Sequence, residues 1–172
     1  MRVFFDANVW CGGILSPLGP NARLLDLAAQ GGPLRGLTSD AVLLEFFRRA
    51  TGGTLPVTFD PEEVWEYIAG HDALFEVRQA PIGRALPGRT DLHNLALNEI
   101  VFVLTGQTRD DLLEAVGRAT TLPDFDEKDL HVLAAAVEAE ADAICSGDKL
   151  FEKVDWIEIR RPRDLAIEYG LL

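Results

Sequence analysis

The chain has 172 residues, of which 48% are hydrophobic, so it suits one domain with one core and is not a disordered chain. With 28 acidic side chains against 16 basic ones its formal net charge is −12, which argues against binding nucleic acid through a generally basic face. The acids either form a solvated surface that keeps the protein soluble or partly converge on a divalent cation that reverses the local sign.

In chain order, "RVFF" is a short apolar run of β-type residues, a buried strand ending at Asp6, and "MRVFFDANVW" reads as strand and turn. "GPNARLLDLAAQGG" predicts a helix started by Pro20 and Asn21 and stopped by Gly31-Gly32. "LRGLTS" is a weaker strand, after which Ser39 can cap the helix "DAVLLEFFRRATGG". "FDPEEVWEYIAGHDALF" predicts a helix with Asp60 as N-cap and Pro61 at its first position, and "FEVRQAP" a strand. "TDLHNLALNEIVFVLTG" and "TRDDLLEAVGRAT" read as two helices, and "LPDFDEKDLHVLAAA" opens another through about Ala141. "AICSGD" is a buried strand ending in a turn, "WIEIRRP" a last strand and "RPRDLAIEYGLL" a closing helix. This alternation predicts an α/β domain with a mainly parallel sheet. No apolar run is long enough to span a membrane, and there is no leader-like opening, so a cytoplasmic protein is expected. Cys11 and Cys145 are too few for a disulfide framework, lack zinc-like spacing and read as reduced thiols.

Sites in open parallel sheets form beyond the carboxyl ends of strands. Asp6 and Asp148 both fall there. If their strands are neighbours, the two carboxylates face each other and raise each other's pKa unless a cation compensates; otherwise both are acids in solvated turns. With Asp126 as N-cap, Asp129 occupies the third helical position, one turn above Leu133, and faces the core. The plainer reading is a stabilising first-turn acid, worth ~0.3–1 kcal/mol, which explains Asp126 and Glu127 better than Asp129; the helical wheel leaves Asp126 open as the inward acid. Glu45 points away from the apolar face of Leu43, Leu44, Phe46 and Phe47, on the side of Ala41, Val42, Arg48 and Arg49. Periodicity makes it a surface partner of Arg49 at i,i+4.

Four stretches in order, "FFDANVWCGGILSPLGPNARLLDLA", "TSDAVLLEFFRR", "DEKDLHVLAAAVEAEADAICSGDKLF" and "IEIRRPRDL", resemble the successive motifs of a PIN domain, and most closely the VapC-like toxin components of bacterial toxin–antitoxin pairs. The resemblance implies a single PIN-like domain over residues 1–172, a parallel sheet flanked by helices, with an extra helical insertion at about 80–122. It implies a Mg²⁺- or Mn²⁺-dependent nuclease, mostly of RNA, leaving a 5′-phosphate and a 3′-hydroxyl, with Asp6, Glu45, Asp129 and Asp148 as metal-site acids. Asn8 would orient Asp6, and Ser146 would supply a hydroxyl near Asp148. An antitoxin and a homodimer are the partners it implies. Ala7 stands where the family usually has Thr or Ser, and the "DLHNLA" echo at Asp91 competes with Asp129 for the third position, though no strand follows its helix.

All-oxygen ligands suit hard cations such as Mg²⁺ or Mn²⁺. Residues 77–90 carry Arg78, Arg84 and Arg89 and no acid, so they form either a phosphate-contacting loop or a solvated one. Arg160, Arg161 and Arg163 read as structural. Two other functions compete. One is a phosphohydrolase with Asp6 as nucleophile, against which Asn8 replaces the usual second acid and Lys149 is only a partial match for the usual lysine. The other is a binding module with a vestigial acid site.

Overall fold

The computed structural model describes residues 1–72, 76–77, 102, 106–117 and 129–172. Strands β1 (Arg2–Phe5), β2 (Arg35–Thr38), β3 (Glu76–Val77), β4 (Ala143–Cys145) and β5 (Glu158–Arg160) form one sheet in the order β3-β2-β1-β4-β5. The pairings among these strands are all parallel: Phe4 lies opposite Leu37 on β2 and Ile144 on β4, and Phe5 opposite Cys145. The middle strands are short apolar runs because both faces are covered; Val3, Phe4, Phe5 and Ile144 are fully buried.

Among the described residues seven helices accompany the sheet: α1 (Ala7–Leu15), α2 (Pro20–Ala29), α3 (Asp40–Thr51), α4 (Pro61–Asp72), α5 (Arg109–Val116), α6 (Leu130–Glu138) and α7 (Pro162–Glu168). Helix α1 packs on α2 and α3, α4 on α3 and α2, α7 on α2, and α5 on α6. Local chemistry sets their starts. The Ser39 hydroxyl accepts from the Val42 N–H at 3.3 Å, Asp60 Oδ1 from the Glu62 N–H at 2.9 Å, and Thr108 and Asp111 form a reciprocal capping box. Pro20 and Pro162 stand in the first turns of α2 and α7, where the missing N–H costs nothing.

Parallel strands put their carboxyl ends at one edge of the sheet. From β1 the chain crosses to β2 on one side, and it later returns to β4 on the other. The crevice between the carboxyl ends of β1 and β4 is therefore the point where the winding reverses, the usual place for a site in such sheets.

Three local expectations change. The segment after Asp6 is helix α1, not a turn. Six of its nine residues are buried, so no polar face marks a period, and two adjacent glycines further conceal it. Those glycines permit close packing: a Cβ on Gly13 would lie 2.4 Å from the Tyr67 hydroxyl oxygen and 2.9 Å from a Leu25 methyl. Next, Asp129 stands at the N-cap of α6 rather than at its third position, with φ −99° and ψ −2°. Several acids in a row each satisfy the cap pattern, and composition cannot choose among them. Finally, the turn after β4 continues as a short 3-10 helix, Lys149–Lys153. The helix expected over "TDLHNLALNEIVFVLTG" lies almost wholly outside the described residues, as does the opening of "LPDFDEKDLHVLAAA". Among the described residues no helix is long and apolar enough to cross a membrane.

Candidate active site

Asp6 follows the last residue of β1 and is 3% exposed. Three donors hold its carboxylate. The Ala7 N–H donates to Oδ1 at 2.6 Å, and Asn8 Nδ2 and the Ser146 hydroxyl donate to Oδ2 at 2.8 and 2.7 Å. The first of these makes Asp6 the N-cap of α1, where a negative charge meets the positive end of the helix. Ala7 thus contributes through its backbone, whatever hydroxyl its side chain lacks. Burial raises the Asp6 pKa, against the lowering effects of Ser146, Asn8, the Ala7 N–H and the charge of Arg49.

Asp148 lies beyond β4, next to β1, but it does not face Asp6 as a like-charged twin. It is exposed and caps the 3-10 helix, Oδ1 accepting from the Leu150 N–H at 2.9 Å. Its own N–H donates to the Ser146 hydroxyl at 3.0 Å, and that hydroxyl donates to Asp6. Ser146, 1% exposed, therefore couples the two strand ends. The raised pKa of Asp6 comes from burial and not from the facing carboxylate expected from position.

Glu45 and Arg49 form the i,i+4 ion pair that periodicity suggested, at 3.7 Å. The side they share is not a plain surface, however. Ala41 and Val42 are buried too, and Arg49 Nη1 donates to Asn8 Oδ1 at 2.9 Å. A continuous path thus runs from Glu45 through Arg49 and Asn8 to Asp6. Cys11 senses the same charges: burial pushes its thiol up to about 12, with Arg49 opposing and Glu45 and Asp6 reinforcing. On its other side, Glu45 Oε2 lies 3.8 Å from His131 Nε2 on α6. His131 is 4% exposed, and burial depresses its pKa to about 4, so the ring is neutral near pH 7.

Asp129 is 8% exposed and makes no side-chain cap bond to the helix it begins, consistent with an inward carboxylate. Position alone did not single out the Arg49 link to Asn8, His131 or the buried Asp40 (2% exposed). His131 had a visible signal, a titratable ring amid the apolar run "LHVLAAA". Arg78, Arg84, Arg89, Asp91, Asp124, Asp126 and Glu127 lie outside the described residues. Arg160 pairs with Glu158 and Glu168, and Arg161 with Glu152.

The donor set suits a small hard cation in kind: carboxylates, two of them buried, around the reversal point of the sheet. Among the described residues no three acids, histidines or cysteines already close on one point.

A family model described as a PIN domain matches residues 2–150. Comparison with curated proteins finds no match. Among solved structures, a chain of the crystal structure of VapBC2 from Rickettsia felis bound to a DNA fragment from their promoter superposes with a TM-score of 0.55. It is 11% identical, and the alignment covers 94% of this chain and 98% of that one. At that identity the likeness speaks for the fold.

Proposed function

This chain belongs to the PIN-domain family, and on that premise we propose that it is a metal-dependent endoribonuclease, the toxin of a toxin–antitoxin pair. The observation that carries the proposal is the buried Asp6 carboxylate at the sheet reversal point, held by Asn8 and Ser146 and linked through them to Arg49 and Asp148. Burying a carboxylate costs stability unless its charge has a use or a partner.

Asp6, Glu45, Asp129 and Asp148 are the residues that would hold Mg²⁺ or Mn²⁺. When bound, such a cation acidifies a water and neutralises charge on a phosphate. The remaining work falls to the chain. Asn8 and Ser146 fix the Asp6 rotamer. Arg49 balances Glu45 and steadies Asn8. Glu45 is a ligand or the base that takes the proton of the attacking water. Hydrolysis joins the water oxygen to phosphorus, breaks the bond to the 3′ oxygen and returns a proton there, leaving a 3′-hydroxyl and a 5′-phosphate. Arg78, Arg84 and Arg89 are proposed contacts for the phosphate backbone. On this reading residues 1–172 are one domain with an insertion at about 80–122, acting in the cytoplasm as a homodimer.

An antitoxin partner is proposed by analogy with the VapBC2 structure. The deciding experiment incubates purified protein with single-stranded RNA and Mg²⁺ or Mn²⁺. Cleavage that EDTA and Asp6→Ala both abolish supports the reading. Intact RNA under every condition would favour a non-catalytic binding module instead.

A further inference from the structure

We propose that Arg49 is a catalytic residue that donates to a non-bridging oxygen of the scissile RNA phosphate; the inference rests on the nuclease reading above. Arg49 lies on α3 one turn after Glu45, and its Nη1 donates to Asn8 Oδ1 at 2.9 Å while standing 3.7 Å from Glu45 Oε1. One end of the guanidinium is thus tied to the amide that holds Asp6. An arginine can only donate, so Asn8 must offer it Oδ1 and turn Nδ2 toward Asp6, and the tether has one sense.

Two features separate Arg49 from an arginine that merely balances a carboxylate. A guanidinium committed to one acid pairs with it through two parallel bonds, fork on fork. Here the approach to Glu45 is through Nη1, and 3.7 Å is too long for a hydrogen bond. Exposure also rises along the path, from 3% at Asp6 through half-buried Asn8 to 34% for the Arg49 side chain. The tether is partly buried, and the side chain it holds reaches the surface beside the acids, where a polymer substrate has to lie. Carboxylates repel a phosphodiester, and a fixed positive charge at their rim offsets that repulsion without having to be reorganised during reaction. Arginine suits the task because its planar fork matches phosphate oxygens and stays charged, whereas lysine offers a point charge.

The test uses the full chain, a short single-stranded RNA and Mn²⁺. Arg49→Lys keeps a charge beside Asn8 and Glu45 but loses the fork, and Arg49→Ala loses both. Cleavage should fall about 10-fold in Arg49→Lys and about 100-fold in Arg49→Ala. The loss should lie in kcat more than in KM, as for a contact that strengthens in the transition state. Calorimetric Mn²⁺ affinity of Arg49→Lys should change less than about 2-fold, whereas loss of a residue that only orients the metal-site acids costs about 10–100-fold. A cleavage defect that tracks weakened Mn²⁺ affinity and disappears at saturating Mn²⁺ would make Arg49 a positioning residue and overturn the inference. Where Arg49→Ala fails to fold, Arg49→Lys carries both comparisons. A wild type that cleaves RNA, with Arg49→Lys cleaving equally well, sinks this inference and spares the nuclease reading. A wild type that cleaves no RNA with Mn²⁺ or Mg²⁺ sinks both.

Discussion

Asp6→Asn offers the sharpest probe of the buried charge, because it keeps the shape and removes the ionisation. In the wild type without metal, burial raises the Asp6 pKa above the usual 3.8. The native state then holds its proton to higher pH than the unfolded chain does. Between 3.8 and the raised value, native protein binds more protons, so stability falls as pH rises. Above the raised value the whole penalty persists, at about 1.4 kcal/mol for each tenfold difference in proton affinity between the native and unfolded states. Asp6→Asn removes that slope. Against the gain, one hydrogen bond is lost, at about 1 kcal/mol. The Ser146 hydroxyl can reverse and accept from the new amide, but Asn8 Nδ2 cannot. The net change near neutral pH is the difference between these opposing terms, so the informative quantities are the pH slope and the response to metal. At 100 times its Kd, an ion should stabilise wild type by about 2.7 kcal/mol, a rise in Tm of roughly 5–11 °C for a chain of this size. Thermal melts from pH 4 to 8 with and without Mn²⁺ should show both effects in wild type and neither in Asp6→Asn. A variant that keeps the acid-side slope and the full metal response would refute the assignment of buried charge and cation to Asp6.

Ser146→Ala removes a donor from Asp6 and the acceptor of the Asp148 N–H; it should cost ~1–3 kcal/mol in urea denaturation and weaken Mn²⁺ binding by calorimetry. Arg49→Met breaks the bond to Asn8 and the pair with Glu45. It should cost about 1–2 kcal/mol, discounted for the partial exposure of Arg49, and extend the Asp6-dependent fall of stability to higher pH. Gly13→Ala should destabilise by ~1–3 kcal/mol through overpacking against Tyr67. Tyr67→Phe removes a buried hydroxyl without a hydrogen bond among the described residues; it should be near neutral alone and recover part of the Gly13→Ala loss, a coupling that a double-mutant cycle measures directly.

Where a side chain's placement follows from its position after a strand, sequence reading reaches it. Asp6 and Asp148 follow short apolar runs that read as buried strands, and parallel pairing of β1 with β4 brings both to one edge. Ser39, Asp60 and Thr108 are capping residues before helical patterns and act as such. Helix α1 escapes because periodicity reports the contrast between a wet and a dry face, and a helix buried nearly all round has little contrast. Glu45 shows the other limit. Its pairing with Arg49 is visible along one helix, but whether that side faces water depends on α1 and α6, which arrive from distant parts of the chain. The third acid is the hardest case, since a helix cap and an inward ligand call for the same residue type within the same few positions.

The arrangement also accounts for how so acidic a chain tolerates a carboxylate in its interior. Asp6 is not simply buried and left to repel its neighbours. Two neutral side-chain donors and one N–H surround it, and the nearby cation Arg49 is shared with Glu45. Arg49 lies one residue beyond Asn8, which spreads its compensation over two acids and fully neutralises neither. The nearest positive charge thus reaches Asp6 through Asn8 and not through a direct bond to its carboxylate oxygens. An arginine bonded directly to Asp6 would stabilise the metal-free protein more, but it would occupy the oxygens that a cation needs. On the proposed metal-dependent reading, moving a positive charge into contact with Asp6 should therefore trade metal affinity for stability.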